Sequence, residues 1–325
     1  MEEEIHKEHE QKRKLSFLKD LYHNQYKKLL IIPFIIFILA IGQIIFQIAT
    51  TGDFIDKDVD LKGGISIQVK SNGTINTEEL DSYLSSKFPD ADIKIQSLSV
   101  AGQQTDIIVK STLEVDEKAL VAEIKNKLGE IEYSPSLVDA SFGASFFRST
   151  FIALIIAFVL MGVLVFYYFR IPVPSIAVIL SALSDIVATI ATLNLLGIKL
   201  TPGGIAGLLM LIGYSVDTDI LLSTRVLKRH EGTIFDRIIG AMKTGFTMSS
   251  TTLAAVIVAL IFSRAEIFKQ IMTIMLIGLL YDLIMTWFQN AGLLRLYFEK
   301  KHKKEHKEHE AEKTQEEIHE STSEA

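Results

Sequence analysis

The chain has 325 residues, with 33 Lys or Arg against 39 Asp or Glu, a formal net charge of −6, 49% hydrophobic residues, one tryptophan and no cysteine. Without cysteine, disulfide frameworks, thiolate metal sites and cysteine nucleophiles are excluded, and the acidic balance gives no electrostatic reason to expect nucleic acid as a partner. The average hides a segregation that excludes a soluble globule: residues 1–28 and 299–325 are about half charged, while several stretches between them hold about twenty apolar residues with hardly a charge.

In chain order, the charged tail 1–28 leads into a first apolar span at 29–49. It lacks a small-residue cleavage site and reads as an uncleaved anchor. A mixed, polar segment follows at 50–148. Five further apolar runs, 149–169, 174–196, 205–222, 244–262 and 271–294, are each long enough to cross a hydrocarbon core of about 30 Å at about 1.5 Å per residue. A polar loop at 223–243 separates the fourth run from the fifth, and 295–325 forms a second charged tail. The expectation is an α-helical integral membrane protein with six spans.

Lys and Arg set the orientation. The N-terminal tail holds seven, the 223–243 region and its edges hold Arg225, Lys228, Arg229, Arg237 and Lys243, and the C-terminal segment from Arg295 holds seven, whereas the opposite short loops hold only Lys199, Arg264 and Lys269. By the positive-inside rule a multi-pass protein of the cell membrane with both termini cytoplasmic is expected, which puts residues 50–148 outside.

Within that outer segment the patterning reads β-α-β-β-α-β: a strand at Gly64–Lys70, a helix at Thr77–Phe88 opened by an Asn76-x-x-Glu79 capping box, strands at Ile93–Val100 and Thr105–Ser111, an amphipathic helix at Val115–Leu128 and a weak strand at Tyr133–Ala140. This order fits a ferredoxin-like α+β domain between the first two spans. Asp60-Leu-Lys-Gly-Gly64 enters the first strand with a glycine pair, which permits a bulge or close backbone approach.

The third span carries Asp185, the fourth Asp217 and Asp219, and the sixth Asp282, while no Lys, Arg or His lies inside any span. An Asp at the centre of a membrane helix costs on the order of 2.5–3.5 kcal/mol, so each acid must face the bundle interior, water or a partner. Ser181, Asp185, Thr189 and Thr192 form one polar stripe; Gly278, Asp282, Thr286 and Gln289 form another. Gly203, Ala206, Met210, Gly213 and Asp217 share a face whose small residues admit a neighbouring helix, with Gly213 packing beside Asp217. Asp219 is turned about 200° away from Asp217. Carboxylates without a cation cannot all stay ionised, so Asp217, Asp185, Asp282 and Asp219 are candidate proton sites. Ordering of the bundle by hydrogen bonds is the structural alternative. No metal site or cofactor is expected beyond the proton. The histidines all fall in cytoplasmic segments, and the His302, His306 and His309 spacing sits in a solvated tail.

At Gly213-Tyr-Ser-Val-Asp-Thr-Asp-Ile-Leu-Leu-Ser-Thr-Arg225 the chain resembles the SecF family, most nearly its archaeal form. Asp60-Leu-Lys-Gly-Gly64, Ser141-Phe-Gly-Ala-Ser145 and Thr244-x-x-Thr-Met-Ser-Ser-Thr-Thr252 extend the resemblance to about residues 25–298. Gly213-x-x-x-Asp217 also matches a pattern of the resistance-nodulation-division transporters, to which SecD and SecF belong. The resemblance implies that fold type and a non-enzymatic accessory subunit. It would work with SecD beside the Sec protein-conducting channel, using the proton gradient to help move or release translocating preproteins on the outer side. Bacterial members carry Asn-Asp where this chain has Asp217-Thr218-Asp219, which leaves open which acid titrates. Arg225 and Lys243 are the nearest cytoplasmic basic partners. A stand-alone exporter of small molecules or lipids is the alternative, although no internal repeat supplies its second half. An intramembrane aspartyl protease would need a Gly-x-Gly-Asp run that the chain lacks.

Overall fold

The computed structural model describes residues 25–70, 75–89, 91–100, 103–112, 115–228, 232–263, 265–301 and 303–304. Most of the two charged tails and all the histidines, His302, His306 and His309 among them, lie outside the described residues.

Among the described residues, six helices are long and apolar enough to cross a membrane, by length and composition, and one small sheet accompanies them. The first membrane helix, α1 (Ile31–Thr51), stops where Gly52 turns left-handed at φ 78° and its N–H reaches the Ile48 carbonyl. The remaining five are α5 (Ala140–Phe169), α6 (Pro172–Leu195), α7 (Pro202–Lys228), α8 (Ile234–Phe262) and α9 (Glu266–Ile284). The last continues through a π-helical turn, Met285–Asn290, into a further helical stretch to residue 301. Burial is greatest along α6 and α7, while α1, α5 and α8 are mostly exposed. Two central helices are therefore ringed by four whose outer faces carry bare apolar side chains such as Leu39, Leu160 and Ile261.

Several helices run past the apolar runs that announce them, because capping groups rather than hydropathy end a helix. Asp139 Oδ1 accepts from the N–H groups of Ser141 (2.7 Å) and Phe142 (3.4 Å), so α5 starts at Ala140 rather than at 149. Thr233 and Asp236 form a reciprocal capping box at 3.2 and 3.1 Å. As a result α8 starts at Ile234, and much of the loop expected at 223–243 is helix.

Between α1 and α5 lie a one-turn helix α2 (Val59–Lys62), β1 (Gly64–Lys70), α3 (Thr77–Lys87), β2 (Ile93–Val100), β3 (Gln103–Ser111), α4 (Glu117–Leu128) and β4 (Tyr133–Val138). The strands lie in the order β2-β3-β1-β4 with every neighbouring pair antiparallel. Alternate residues Ile65, Ile67 and Val69 of β1, with Ile107 and Val109 of β3, turn one sheet face onto Leu80 and Leu84 of α3 and Leu120 and Ile124 of α4. The Asn76 carboxamide caps α3 by accepting from Glu78 and Glu79 N–H at 3.1 and 3.2 Å. The expected capping box is only half made, since the Glu79 carboxylate turns instead to Lys127 at 2.6 Å.

The glycine pair has two separate tasks. Gly63 takes φ 90°. A Cβ on Gly64 would run into the Val59 side chain and the Ser111 carbonyl. These glycines let α2 fold back against β3, where Lys110 Nζ meets Asp58 at 2.9 Å and Asp60 at 2.6 Å. The module is anchored to the membrane helices by a parallel bridge, in which Asp58 N–H donates to Leu200 O (2.8 Å) and Leu200 N–H to Asp56 O (2.7 Å), and by an ion pair between Lys199 and Asp92.

Candidate functional site

Three of the four membrane acids converge. Asp185 on α6, Asp219 on α7 and Asp282 on α9 all have no solvent exposure. They meet because α7 turns Leu208, Leu211, Ile212, Ser215, Asp219 and Leu222 inward on one helical face, against the Asp185 stripe of α6 and the Asp282 stripe of α9.

Hydroxyl and amide groups fill the space between them. Ser215 donates to Asp185 Oδ2 at 2.6 Å. Thr218 Oγ1 lies 3.0 and 3.2 Å from the two Asp282 oxygens. Thr286 Oγ1 lies 3.0 Å from Asp282 Oδ1 and also 3.0 Å from Asp219 Oδ1. Asn290 Nδ2 donates to Asp219 Oδ1 at 2.7 Å, and Gln289 Nε2 to Ser184 Oγ at 3.2 Å. Thr286, Gln289 and Asn290 all belong to the π turn, a feature that inserts a residue into a helix and is frequent at functional positions.

No Lys, Arg or His forms an ion pair with these acids among the described residues. Nor do described residues include three or more His, Cys, Asp or Glu side chains grouped as a metal site. Hydrogen counting then constrains the cluster. A hydroxyl owns one hydrogen, so Thr286 can donate to one carboxylate and bond the other only if that second carboxyl carries a hydrogen of its own. Thr218 is under the same restriction, because its hydroxyl also lies 2.8 Å from the Ser215 carbonyl. Taken as hydrogen bonds, the contacts are complete only with hydrogen on a carboxyl.

The fourth acid is elsewhere. Asp217 is exposed, as are Ala206, Met210 and Gly213 on the same face of α7. Nothing lies within 4 Å of the place a Gly213 Cβ would occupy. At one end of this face Gly203 is buried against Ile267 of α9, but from Ala206 to Asp217 the face is open among the described residues, and Gly213 makes no room there for a neighbouring helix. The 200° offset from Asp217 is what turns Asp219 into the bundle. The two basic candidates are also apart from the acids. Arg225 joins α7 to α8 by donating to the Gly240 carbonyl (2.6 Å) and Thr244 Oγ1 (2.8 Å), and Lys243 is exposed on α8. Ser215, Thr218 and Asn290 are site residues that the sequence reading does not single out. Their only signal is polarity within an apolar run.

These features define a class: a multi-pass helical membrane protein with one small α+β module and a buried cluster of acids. Residues 118–300 match the family model for the C-terminal part of the protein-export membrane proteins SecD and SecF. The protein-export membrane protein SecF of Pyrococcus furiosus is 38% identical over 290 residues, covering 89% of this chain and 96% of that protein. SecF of Methanothermobacter thermautotrophicus is 37% identical over 291 residues, covering 88% and 97%. Among solved structures, a SecDF in a super-membrane-facing form superposes with a TM-score of 0.63 at 19% identity over 87% of this chain, and a Thermus SecDF, a translocon-associated membrane protein, with 0.65 at 20% over 84%. These two likenesses speak for the fold alone, and the chain spans 39% and 38% of the SecDF chains. The chain belongs to the SecD/SecF family of protein-export membrane proteins, and its curated relatives named SecF are archaeal.

Proposed function

We propose that this chain is a SecF-type subunit of the Sec export machinery. With SecD it couples the proton gradient to the movement or release of translocating polypeptides on the outer side of the cell membrane. The observation that carries the coupling is the junction of Asp185, Asp219 and Asp282, three fully buried acids without a cation among the described residues, joined by hydroxyls that cannot satisfy them without added hydrogen. A rearrangement that lets one acid meet water on one side and then on the other would turn proton passage into helix movement.

The same reading places SecD against the open stripe of α7. An Asp217 facing hydrocarbon is costly, so a second membrane protein that covers Ala206, Met210, Gly213 and Asp217 removes the cost, and the SecDF chains are long enough to hold a further unit of this size. The β2-β3-β1-β4 order supports a ferredoxin-like outer module, fit to bear on the emerging chain beside the Sec channel. Cytoplasmic placement of both termini is supported by the Lys and Arg count, and a common side for them by the contact of the first membrane helix's start with the last one's end, where Tyr26 donates to Glu299 and Arg295 lies 4.1 Å from the Tyr26 ring centre. Relatives named as export proteins do not favour the stand-alone exporter.

The test is export by whole cells that carry Asp219→Asn or Asp185→Asn in this chain, with its partner present. Export should fall to the rate that unaltered cells show after the proton gradient is collapsed. Unchanged export in both variants would overturn the coupling.

A further inference from the structure

Thr286 is the atom-sized link between two acids. Its Oγ1 stands 3.0 Å from Asp282 Oδ1 on its own helix and 3.0 Å from Asp219 Oδ1 on α7, and all three residues have no solvent exposure. We propose that the Thr286 hydroxyl relays a proton between Asp282 and Asp219; this rests on the reading above, in which the acids exchange protons.

The step balances without any further reactant. As the Asp282 carboxyl gives its hydrogen to Thr286 Oγ1, Thr286 releases its own hydroxyl hydrogen to Asp219 Oδ1. One O–H bond breaks and one forms at each transfer, no electrons change hands, and the hydroxyl turns back before the next passage. Both distances already lie within reach for a proton transfer through a hydrogen bond. A β-branched side chain holds few rotamers in a helix, so the hydroxyl stays between its partners. Asn290, a positioning residue, fixes the acceptor by donating to Asp219 Oδ1 at 2.7 Å.

No other described group makes this connection. Thr218 bonds Asp282 but makes no hydrogen bond to Asp219 among the described residues, and its hydroxyl is 3.5 Å from that of Thr286. The ionisable groups that face the relay are Asp282 from its own helix, Asp219 from α7 and Asp185 from α6, the last held by Ser215.

The full chain with its partner, in vesicles, would be followed by time-resolved infrared spectroscopy of the carboxyl C=O bands after a pH jump. Thr286→Val keeps the shape without the hydroxyl, and Thr286→Ser keeps the hydroxyl. The expectation is a transfer slowed about 10²-fold in Thr286→Val, the scale on which a positioned acid–base group acts, with Thr286→Ser close to wild type. On the unaltered protein, rates in H2O/D2O mixtures should follow a curved dependence, as two hydrogens move together. A wild-type rate in Thr286→Val, or a linear dependence, would overturn the relay. If Asp219→Asn and Asp282→Asn abolish the bands while Thr286→Val leaves the rate unchanged, the relay alone falls. If both Asn variants leave the bands intact, the proton reading falls with it.

Discussion

Two groups of carboxylates, one half-buried and one fully buried, sit in this chain under opposite electrostatic conditions. In the outer module, Asp58 and Asp60 close on Lys110, an ammonium supplied by β3. In the membrane part, the hydrogen-bond partners of Asp185, Asp219 and Asp282 among the described residues are hydroxyls and amides. Burial alone would work against the charge on Lys110, but the two neighbouring carboxylates outweigh it and hold its ammonium above the ordinary lysine value of 10.5. The first group is a fixed lock, because one ammonium holds both carboxylates. The second can be complete only by holding hydrogen, which makes it a place where protons can come and go. The same residue type thus serves as fastener in one region and, on the function proposed above, as proton site in the other, with the cation as the difference between them.

Breaking the lock should give the largest stability effect. Lys110→Met leaves two carboxylates facing each other with Asp58 buried, and removing one member of a buried ion pair costs about 3–5 kcal/mol. Thermal unfolding followed by hydrogen exchange should show β3 and α2 opening early, with recovery when Asp58→Asn and Asp60→Asn are added. Gly245→Ala strikes the other region. A Cβ there would run into the Trp287 ring, inside the π turn that carries Thr286 and Asn290. Overpacking of this kind costs about 1–3 kcal/mol, and exchange should rise along α8 and the π turn while the outer module stays unchanged. Asn76→Ala, which removes a cap from α3, should cost about 1 kcal/mol, seen only in the melting of the outer module.

The pH dependence sharpens the same contrast. The folded Lys110 is raised, so its stabilisation is whole below 10.5 and is lost as pH climbs through the folded value. The outer module should therefore loosen in strongly alkaline buffer. Asp139 behaves in the opposite sense. The N–H groups of Ser141 and Phe142 hold it below its ordinary 3.8, so its cap on α5 is whole above that value and is lost as pH falls through the folded one. Exchange at the first turn of α5 should rise in acid.

How much of this was legible in sequence differs between the regions. The strand and helix order of the outer module follows from alternation and amphipathic spacing, since each element has one buried face. The one-turn α2 does not, because four residues are too few to show a period. In the membrane part, the six apolar runs are plain, and Asp185 and Asp282 lie on polar stripes that the structure turns inward. On α7, helical spacing separates Asp217 from Asp219 but cannot tell which side is buried, since apolar or small residues occupy both. The stripe through Gly213 looks like a packing face, yet from Ala206 to Asp217 it is open in this chain, and Asp219 holds the interior. Thr286 and Gln289 stand on a visible stripe. Asn290 joins the site through the π turn, which no local propensity announces, and Ser215 and Thr218 acquire meaning only when α6 and α9 arrive.

The most direct test of the central claim is equilibrium infrared difference spectroscopy of the full chain between acid and alkaline buffer. The account predicts carboxylic-acid C=O bands that change with pH and shrink stepwise in Asp185→Asn, Asp219→Asn and Asp282→Asn. Bands that keep their full size in all three variants would contradict it.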